Sequence, residues 1–182
     1  AFLPHFHIPL QSGCNEILKR MRRRYRRELH LEKVRKIKEL RPDAAIGADV
    51  IVGFPGETDE MFAETYRFLK ESPVTYLHVF PYSDRPGTEA SAMKDKVSGK
   101  VKRERSRLLR ELSARKTALF VQSQLGTVRP VLFERKESDG LLWGWTDNYI
   151  RTGVPYRPGL EGKILPVRLE NFYDGKVSGK IY

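Results

Sequence analysis

Cysteine is nearly absent. The 182-residue chain has one, Cys14. A single thiol excludes an internal disulfide and any metal site built from cysteine alone, and it agrees with a reducing, cytoplasmic setting. Long apolar runs are missing too. Val50-Ile51-Val52 typifies the longest, far short of the roughly 20 residues that a membrane-spanning helix needs, so no membrane partner is expected. The opening Ala1-Phe2-Leu3-Pro4-His5 has no basic n-region and no cleavage-type pattern, which predicts no signal peptide. It also lacks Met, so the chain is expected to be cut from something longer. Neither a repeat nor a low-complexity tract is found. The histidines His5, His7, His30 and His78 show no H-x-x-x-H and no Cys/His spacing. They are expected in the core or at a rim rather than as metal ligands.

Hydrophobic residues at 40% and charged residues at 31% fit a soluble globular protein with a true core, in one domain or two small ones. The formal net charge is +11, and it is uneven. Residues 94–120 hold ten basic and three acidic residues, a net +7, while the stretches before and after are +2 each. Such a concentrated field favours a polyanionic partner; a solvated helix face gives the same pattern.

Residues 1–97 alternate strand and helix signals. Phe6 to Leu10 reads as a short strand, followed by helices over Glu16–Met21 and Glu28–Leu40. In the second helix Leu31, Val34, Ile37 and Leu40 recur at spacings of three, and Pro42 stops it. Ala45–Val52 is a continuous small or apolar run, as in a strand covered on both faces. Thr58 can cap the next helix, with Asp59 and Glu60 in its first turn and Phe62, Tyr66 and Leu69 on its buried side. Val74–Phe80 is a further strand. This order predicts parallel strands with helical crossovers.

Residues 98–122 read as one long basic linking helix. Val101, Leu108, Leu112 and Leu119 form its apolar stripe, and Lys102, Arg103, Arg105, Arg107 and Arg110 lie mostly elsewhere. Residues 123–182 hold five short strand signals: Val128–Glu134, Leu141–Thr146, Tyr149–Thr152, Lys163–Asn171 and Val177–Tyr182. Turn residues, including Asp174-Gly175, punctuate them. Five short strands in so few residues predict a small closed barrel of OB type.

Three strands end in unusual polar or glycine-rich turns: Gln11-Ser12-Gly13, Gly53-Phe54-Pro55-Gly56-Glu57-Thr58 and Tyr82-Ser83-Asp84-Arg85-Pro86-Gly87-Thr88. The carboxy ends of parallel strands line ligand sites, although glycine and proline also make ordinary turns. Asp49 sits where both faces of its strand are expected to be buried, so it needs a ligand's donors or a structural partner such as a buried arginine. Lys19–Arg27 holds seven basic residues in nine around Tyr25; it suits phosphate contacts and stacking, or a solvated turn. In the last domain, Trp145, Tyr149 and Arg151, with Trp143, suit base stacking on an exposed sheet, or fill a small core.

Taken together, His7-Ile8-Pro9-Leu10-Gln11-Ser12-Gly13, Met21-Arg22-Arg23-Arg24-Tyr25, Asp49 through Thr58, and Tyr82-Ser83-x-Arg85-Pro86-Gly87-Thr88 resemble the radical-SAM methylthiotransferases. Gly144-Trp145-Thr146-Asp147-Asn148-Tyr149 is similar to their closing TRAM domain. The resemblance implies the second half of a partial (β/α) barrel of radical-SAM type, then the linking helix, then the TRAM barrel. It implies S-adenosylmethionine and [4Fe–4S] clusters as cofactors, and tRNA as partner. The threonylcarbamoyladenosine branch looks most similar; the isopentenyladenosine and ribosomal-protein branches stay open. By this resemblance Gln11, Ser12, Arg23, Asp49, Val52 and Gly53 line the S-adenosylmethionine site, and Arg22, Arg24, Arg85, Trp145, Tyr149 and Arg151 meet RNA. The family's Cys-x-x-x-Cys-x-x-Cys is absent here, and Cys14 cannot replace it. The chain is therefore expected to be an inactive fragment, without cluster ligands or catalytic residues of its own, that needs the amino-terminal domains of the same protein. A stand-alone RNA-binding module with a scaffolding half-barrel is the alternative.

Overall fold

The computed structural model describes residues 2–138, 140–173 and 175–182, with the backbone alone for Lys136 and Glu137. Asp174 of the expected Asp174-Gly175 turn lies outside the described residues. The chain divides into two units: residues 6–42 with 46–116, and residues up to 5, 43–45 and 117–182.

The first unit is α/β. Its sheet has the order β1-β2-β3, with β1 at His5–His7, β2 at Ala45–Val52 and β3 at Tyr76–Pro81. β2 and β3 run parallel, from Gly47 opposite Tyr76 to Val52 opposite Pro81. The regular part of β1 is shorter than the apolar run suggests, because Pro9 has no N–H to give the ladder. Pairing with β2 resumes beyond it, through a parallel bridge between Gln11 and Val50. Helices α1 (Asn15–Arg20), α2 (Arg27–Leu40) and α3 (Asp59–Glu71) provide the crossovers. Thr58 caps α3 by accepting the Met61 N–H at 3.3 Å, which satisfies one of the free donors at the helix start. The core joins Val34, Ile46, Val50, Val52, Leu69 and Leu109.

Two expected stripes are corrected. In α2, Val34 and His30 are buried, whereas Leu40 is 68% exposed. At about 100° per residue, a spacing of three drifts, and nine residues carry Leu40 to the side opposite Leu31. In α5, Gly99–Gln124, the buried positions are Arg105, Ser106, Leu109 and Leu112, then Val121 and Gln124; Leu119 is 67% exposed. The two parts of this helix belong to different units and serve different cores, so one stripe cannot describe it. A short helix α4, Glu89–Ala92, follows its cap Thr88 and had no sequence signal.

The second unit is a closed barrel with strand order β4-β5-β6-β8-β7: β4 Val128–Ser138, β5 Leu141–Thr146, β6 Arg151–Pro155, β7 Ile164–Tyr173 and β8 Lys176–Ile181. Its neighbours are antiparallel except β6 and β8, which pair in parallel. Val131, Phe133, Leu142, Val154 and Val167 fill its centre. The strand expected from Tyr149 begins at Arg151 instead. Tyr149 sits at φ 66°, a turn conformation that its β-propensity hides. Fully buried Asn148 ties this turn down through bonds to the Asp43 carbonyl and Gln124 Oε1, each 3.0 Å. Arg129 adds a fork onto Asp147, two bonds of 2.8 Å, and reaches Asp43 at 2.9 Å. Among the described residues, no helix is long and apolar enough to cross a membrane.

Candidate functional site

The carboxy ends of the three parallel strands open on one cleft of about 700 Å³ in the α/β unit. Gln11, Asp49 and Ile51 form its sheet side. Phe80, Pro81, Tyr82, Ser83 and Arg85 follow from β3, Phe54 comes from the turn after β2, and Arg23 comes from the basic loop. Polar groups that converge over apolar walls are the usual make-up of a small-molecule site. Gln11 holds φ 73° and Arg22 holds φ 56°, uncommon values for non-glycine residues.

The turn after β2 is locked from within. Gly53 and Gly56 take left-handed φ values of 71° and 80°. The Glu57 carboxylate accepts the Gly53 N–H at 2.7 Å and pairs with Arg105 Nη1 at 2.6 Å. Glu57 and Arg105 are nearly inaccessible, while Asp59, which takes Arg105 Nη2 at 2.6 Å, is exposed. Burial pushes the Glu57 carboxyl above the usual carboxylate range, against the pull of the Gly53 N–H and Arg105. Arg105, expected on the polar face of its helix, is thus an internal strut.

Asp49 is not fully enclosed as expected: its side chain is 25% exposed. Its partners are histidines rather than a buried arginine. His7 Nε2 lies 2.8 Å from Asp49 Oδ1, and His78 Nδ1 lies 3.4 Å from the same atom. Cross-strand register creates this trio, since Asp49 faces His78 directly. No local spacing announces it.

The remaining expected cofactor residues divide. Gln11, Arg23 and Asp49 line the cleft. Ser12 is fully buried, and its hydroxyl bonds Thr65 Oγ1 at 3.2 Å and accepts the Cys14 N–H at 3.1 Å. Val52 is fully buried in the core, and Gly53 lies against the Lys102 side chain. None of these three is among the residues that line the cleft. The cleft fits an amino-acid and nucleoside ligand in kind: a carboxylate, an amide and a guanidinium beside apolar rings. An iron–sulfur cluster finds no ligands in this chain. The lone Cys14 is 2% exposed, burial pushes its thiol pKa up, and a cluster needs several thiolates.

Of the expected RNA contacts, Arg24 and Arg85, like the expected cofactor residue Arg23, make no side-chain hydrogen bond or ion pair among the described residues. Arg22 pairs with Glu89 at 2.5 Å, both well exposed. Tyr25 anchors the basic loop by donating to the Leu10 carbonyl at 3.1 Å. A second basic cleft, lined by Lys19, Arg22, Arg23, Arg24 and Arg26, adjoins it. Part of the charge of residues 94–120 is paired within the chain. Lys96 pairs with Asp84, Arg105 with Glu57 and Asp59, and Arg107 with Glu104 and Glu111. Lys102, Arg115 and Lys116 bond Tyr82, Tyr66 and the carbonyls of Lys70 and Ser72.

On the barrel unit, cations and rings alternate. Lys176 lies over Trp143, Arg151 over both Trp143 and Trp145, Trp145 stacks on Tyr149 at 4.6 Å, and His5 stacks on Tyr149 at 4.1 Å. Two near-parallel neighbours this close must lie on opposite faces, so Tyr149 is sandwiched. Glu134 accepts from Trp145 Nε1 and Arg151 Nη2, each at 3.2 Å. Trp145, Tyr149 and Arg151 are thus brought together as expected, but with their faces turned mostly on one another.

The family model of the radical SAM superfamily matches residues 1–69. The threonylcarbamoyladenosine tRNA methylthiotransferase of Bacillus subtilis is 42% identical over 91% of this chain and 38% of its own length. The Aquifex aeolicus protein of the same description is 49% identical over 81% and 35%. The tRNA-2-methylthio-N(6)-dimethylallyladenosine synthase of Symbiobacterium thermophilum is 40% identical over 90% and 35%. The resemblance to radical-SAM tRNA methylthiotransferases therefore holds along most of the chain, and the chain spans little more than a third of these relatives.

Proposed function

We propose that this chain is the carboxy-terminal part of a radical-SAM tRNA methylthiotransferase that acts in the cytoplasm on threonylcarbamoyladenosine beside the anticodon. The observation that carries this reading is the meeting of Gln11, Arg23, Asp49 and Arg85 at one cleft over the ends of three parallel strands. Gln11 and Asp49 offer an amide and a carboxylate to the amine and hydroxyls of S-adenosylmethionine, and Arg23 meets its carboxylate or a substrate phosphate. Ser12 and Val52, buried next in the chain to the lining residues Gln11 and Ile51, support the cleft from behind, and Gly53 permits close backbone approach there. Bound together with a [4Fe–4S] cluster, S-adenosylmethionine supplies radical cleavage of a C–H bond and a methyl group. The cluster's ligands come from the amino-terminal domains of the full protein, and the chain alone is inactive.

Arg22, Arg24 and Arg85 face the phosphates of the RNA near the cleft, as point charges that position rather than read. The barrel acts as a TRAM domain of OB type, a fold that takes oligonucleotides on its surface, with Trp145, Tyr149 and Arg151 at its contact. The test is anaerobic reconstitution of the full-length protein with iron, sulfide, S-adenosylmethionine and tRNA, followed by mass spectrometry of the nucleosides. The expected product is methylthiolated threonylcarbamoyladenosine. Methylthiolation of dimethylallyladenosine instead would move the protein to that branch, and absence of any methylthio product would refute the reading.

A further inference from the structure

Register across β1, β2 and β3 brings His7, Asp49 and His78 into one row. We propose that these three side chains bind a divalent transition-metal ion, of the zinc, cobalt or iron type. Their ligand atoms, His7 Nε2, Asp49 Oδ1 and His78 Nδ1, all lie within 4.8 Å of one another. Two of the separations are 2.8 and 3.4 Å. Metal bonds of roughly 2.0–2.2 Å to imidazole nitrogen and carboxylate oxygen put neighbouring donors about 3–3.5 Å apart. An ion therefore enters with small side-chain rotations and no movement of the sheet.

The donor set decides the class of ion. Two imidazoles and one carboxylate suit zinc, iron, nickel or copper, whereas calcium and magnesium prefer oxygen throughout. Both rings converge on a single carboxylate oxygen. Asp49 Oδ2 has no partner among the described residues and stays available.

The trio is also braced. The His7 and His78 rings are 5.0 Å apart, and Tyr76 lies beside both, at 6.4 and 5.3 Å. The Tyr76 ring occupies the space over Gly47, where a Cβ would come within 2.2 Å of it. Three protein ligands leave a coordination position open, and Asp49 lines the cleft, so that position is reached from the cleft. The half-exposed His78 ring gives an entry path.

This site shares Asp49 with the cleft proposed for S-adenosylmethionine, so ion and cofactor compete for that carboxylate, and the test reads metal binding in the absence of cofactor rather than turnover. The 182-residue chain, purified with chelator, is titrated with Co²⁺ while visible absorption is followed, and then with Zn²⁺ in competition. One Co²⁺ per chain with d–d bands is expected, displaced by Zn²⁺. His78→Ala and Asp49→Asn should each weaken binding at least tenfold, and the more conservative His7→Gln should do the same. His5→Ala, outside the trio, should bind as the parent does. Circular dichroism checks that each variant is folded. Absence of stoichiometric binding in the parent, or unchanged binding in folded His78→Ala and His7→Gln, overturns the proposal.

Discussion

In the α/β unit Arg105 is drawn inside and held between two carboxylates; on the barrel unit Arg151 stays about half exposed and lies over tryptophan rings. Both look alike in the sequence, as basic residues among apolar neighbours. The difference is what each gives up on leaving water. Arg105 is desolvated and depends on Glu57 for compensation. Arg151 keeps its hydration and gains only a cation–π contact and an exposed ion pair. The +7 of residues 94–120 therefore does not mark a binding face by itself, because much of it is paired, and among the described residues Arg23, Arg24 and Arg85 are unpaired cations outside that stretch.

The sharpest way to break this comparison is Arg105→Ala. It strands the buried Glu57 carboxylate and should cost about 3–5 kcal/mol of α/β-unit stability, measured by urea unfolding. Next comes Arg129→Ala, which removes the Asp147 fork and the Asp43 contact. Loss of charged, largely buried hydrogen bonds should cost about 2–3 kcal/mol, read from the barrel's unfolding. Arg23→Ala and Arg85→Ala should leave stability alone. Each should lower tRNA affinity of the full protein, reducing the slope of log K against log salt by about one; an unchanged slope would place the RNA elsewhere. Arg151→Ala should be the mildest for stability, about 0.5–1 kcal/mol, with a change in tryptophan fluorescence as its signature. A cost like that of Arg105 would erase the distinction between the two units.

A pH scan adds a check of the same logic at His30. The ring is buried against the Ile8 carbonyl at 3.0 Å, and burial lowers its pKa from the ordinary 6.5. The unfolded chain then binds the proton more readily than the folded one. His30 should contribute full stability above pH 6.5 and progressively lose it below, as pH falls toward the lowered folded value. A His30→Gln variant should flatten that part of the stability–pH curve.

Much of the fold was legible. β2 at 45–52 and β5 at 141–146 coincide with their apolar patterns, because continuous small or alternating residues leave little choice. The capped α3 and the five-stranded barrel were legible for the same reason. The barrel's order was not, since nothing local says that β8 inserts between β6 and β7. Burial on α5 was misread because Glu57, far away in sequence, draws Arg105 inward. Of the cleft residues, Gln11 and Arg85 could be singled out from their turns and Asp49 as a carboxylate inside an apolar strand, whereas Arg23 was named through the family resemblance alone. His7 and His78 could not be joined to Asp49, because their nearness is a product of register across three strands. Trp145 and Tyr149 stood out in the sequence as neighbouring aromatics, yet no pattern foretold that His5 would cover the second face of Tyr149.

The close fit of Tyr76 over Gly47 has a consequence for how this sheet can diversify. Any single substitution that adds a side chain at 47 collides with the ring, and any that shrinks Tyr76 opens a gap beside His7 and His78. The pair forms a mutational bottleneck. In a saturation library the tolerated genotypes should be compensated doubles, a bulkier 47 with a smaller 76. Drift in the surrounding strands can thus be extensive while this one coordinate stays fixed.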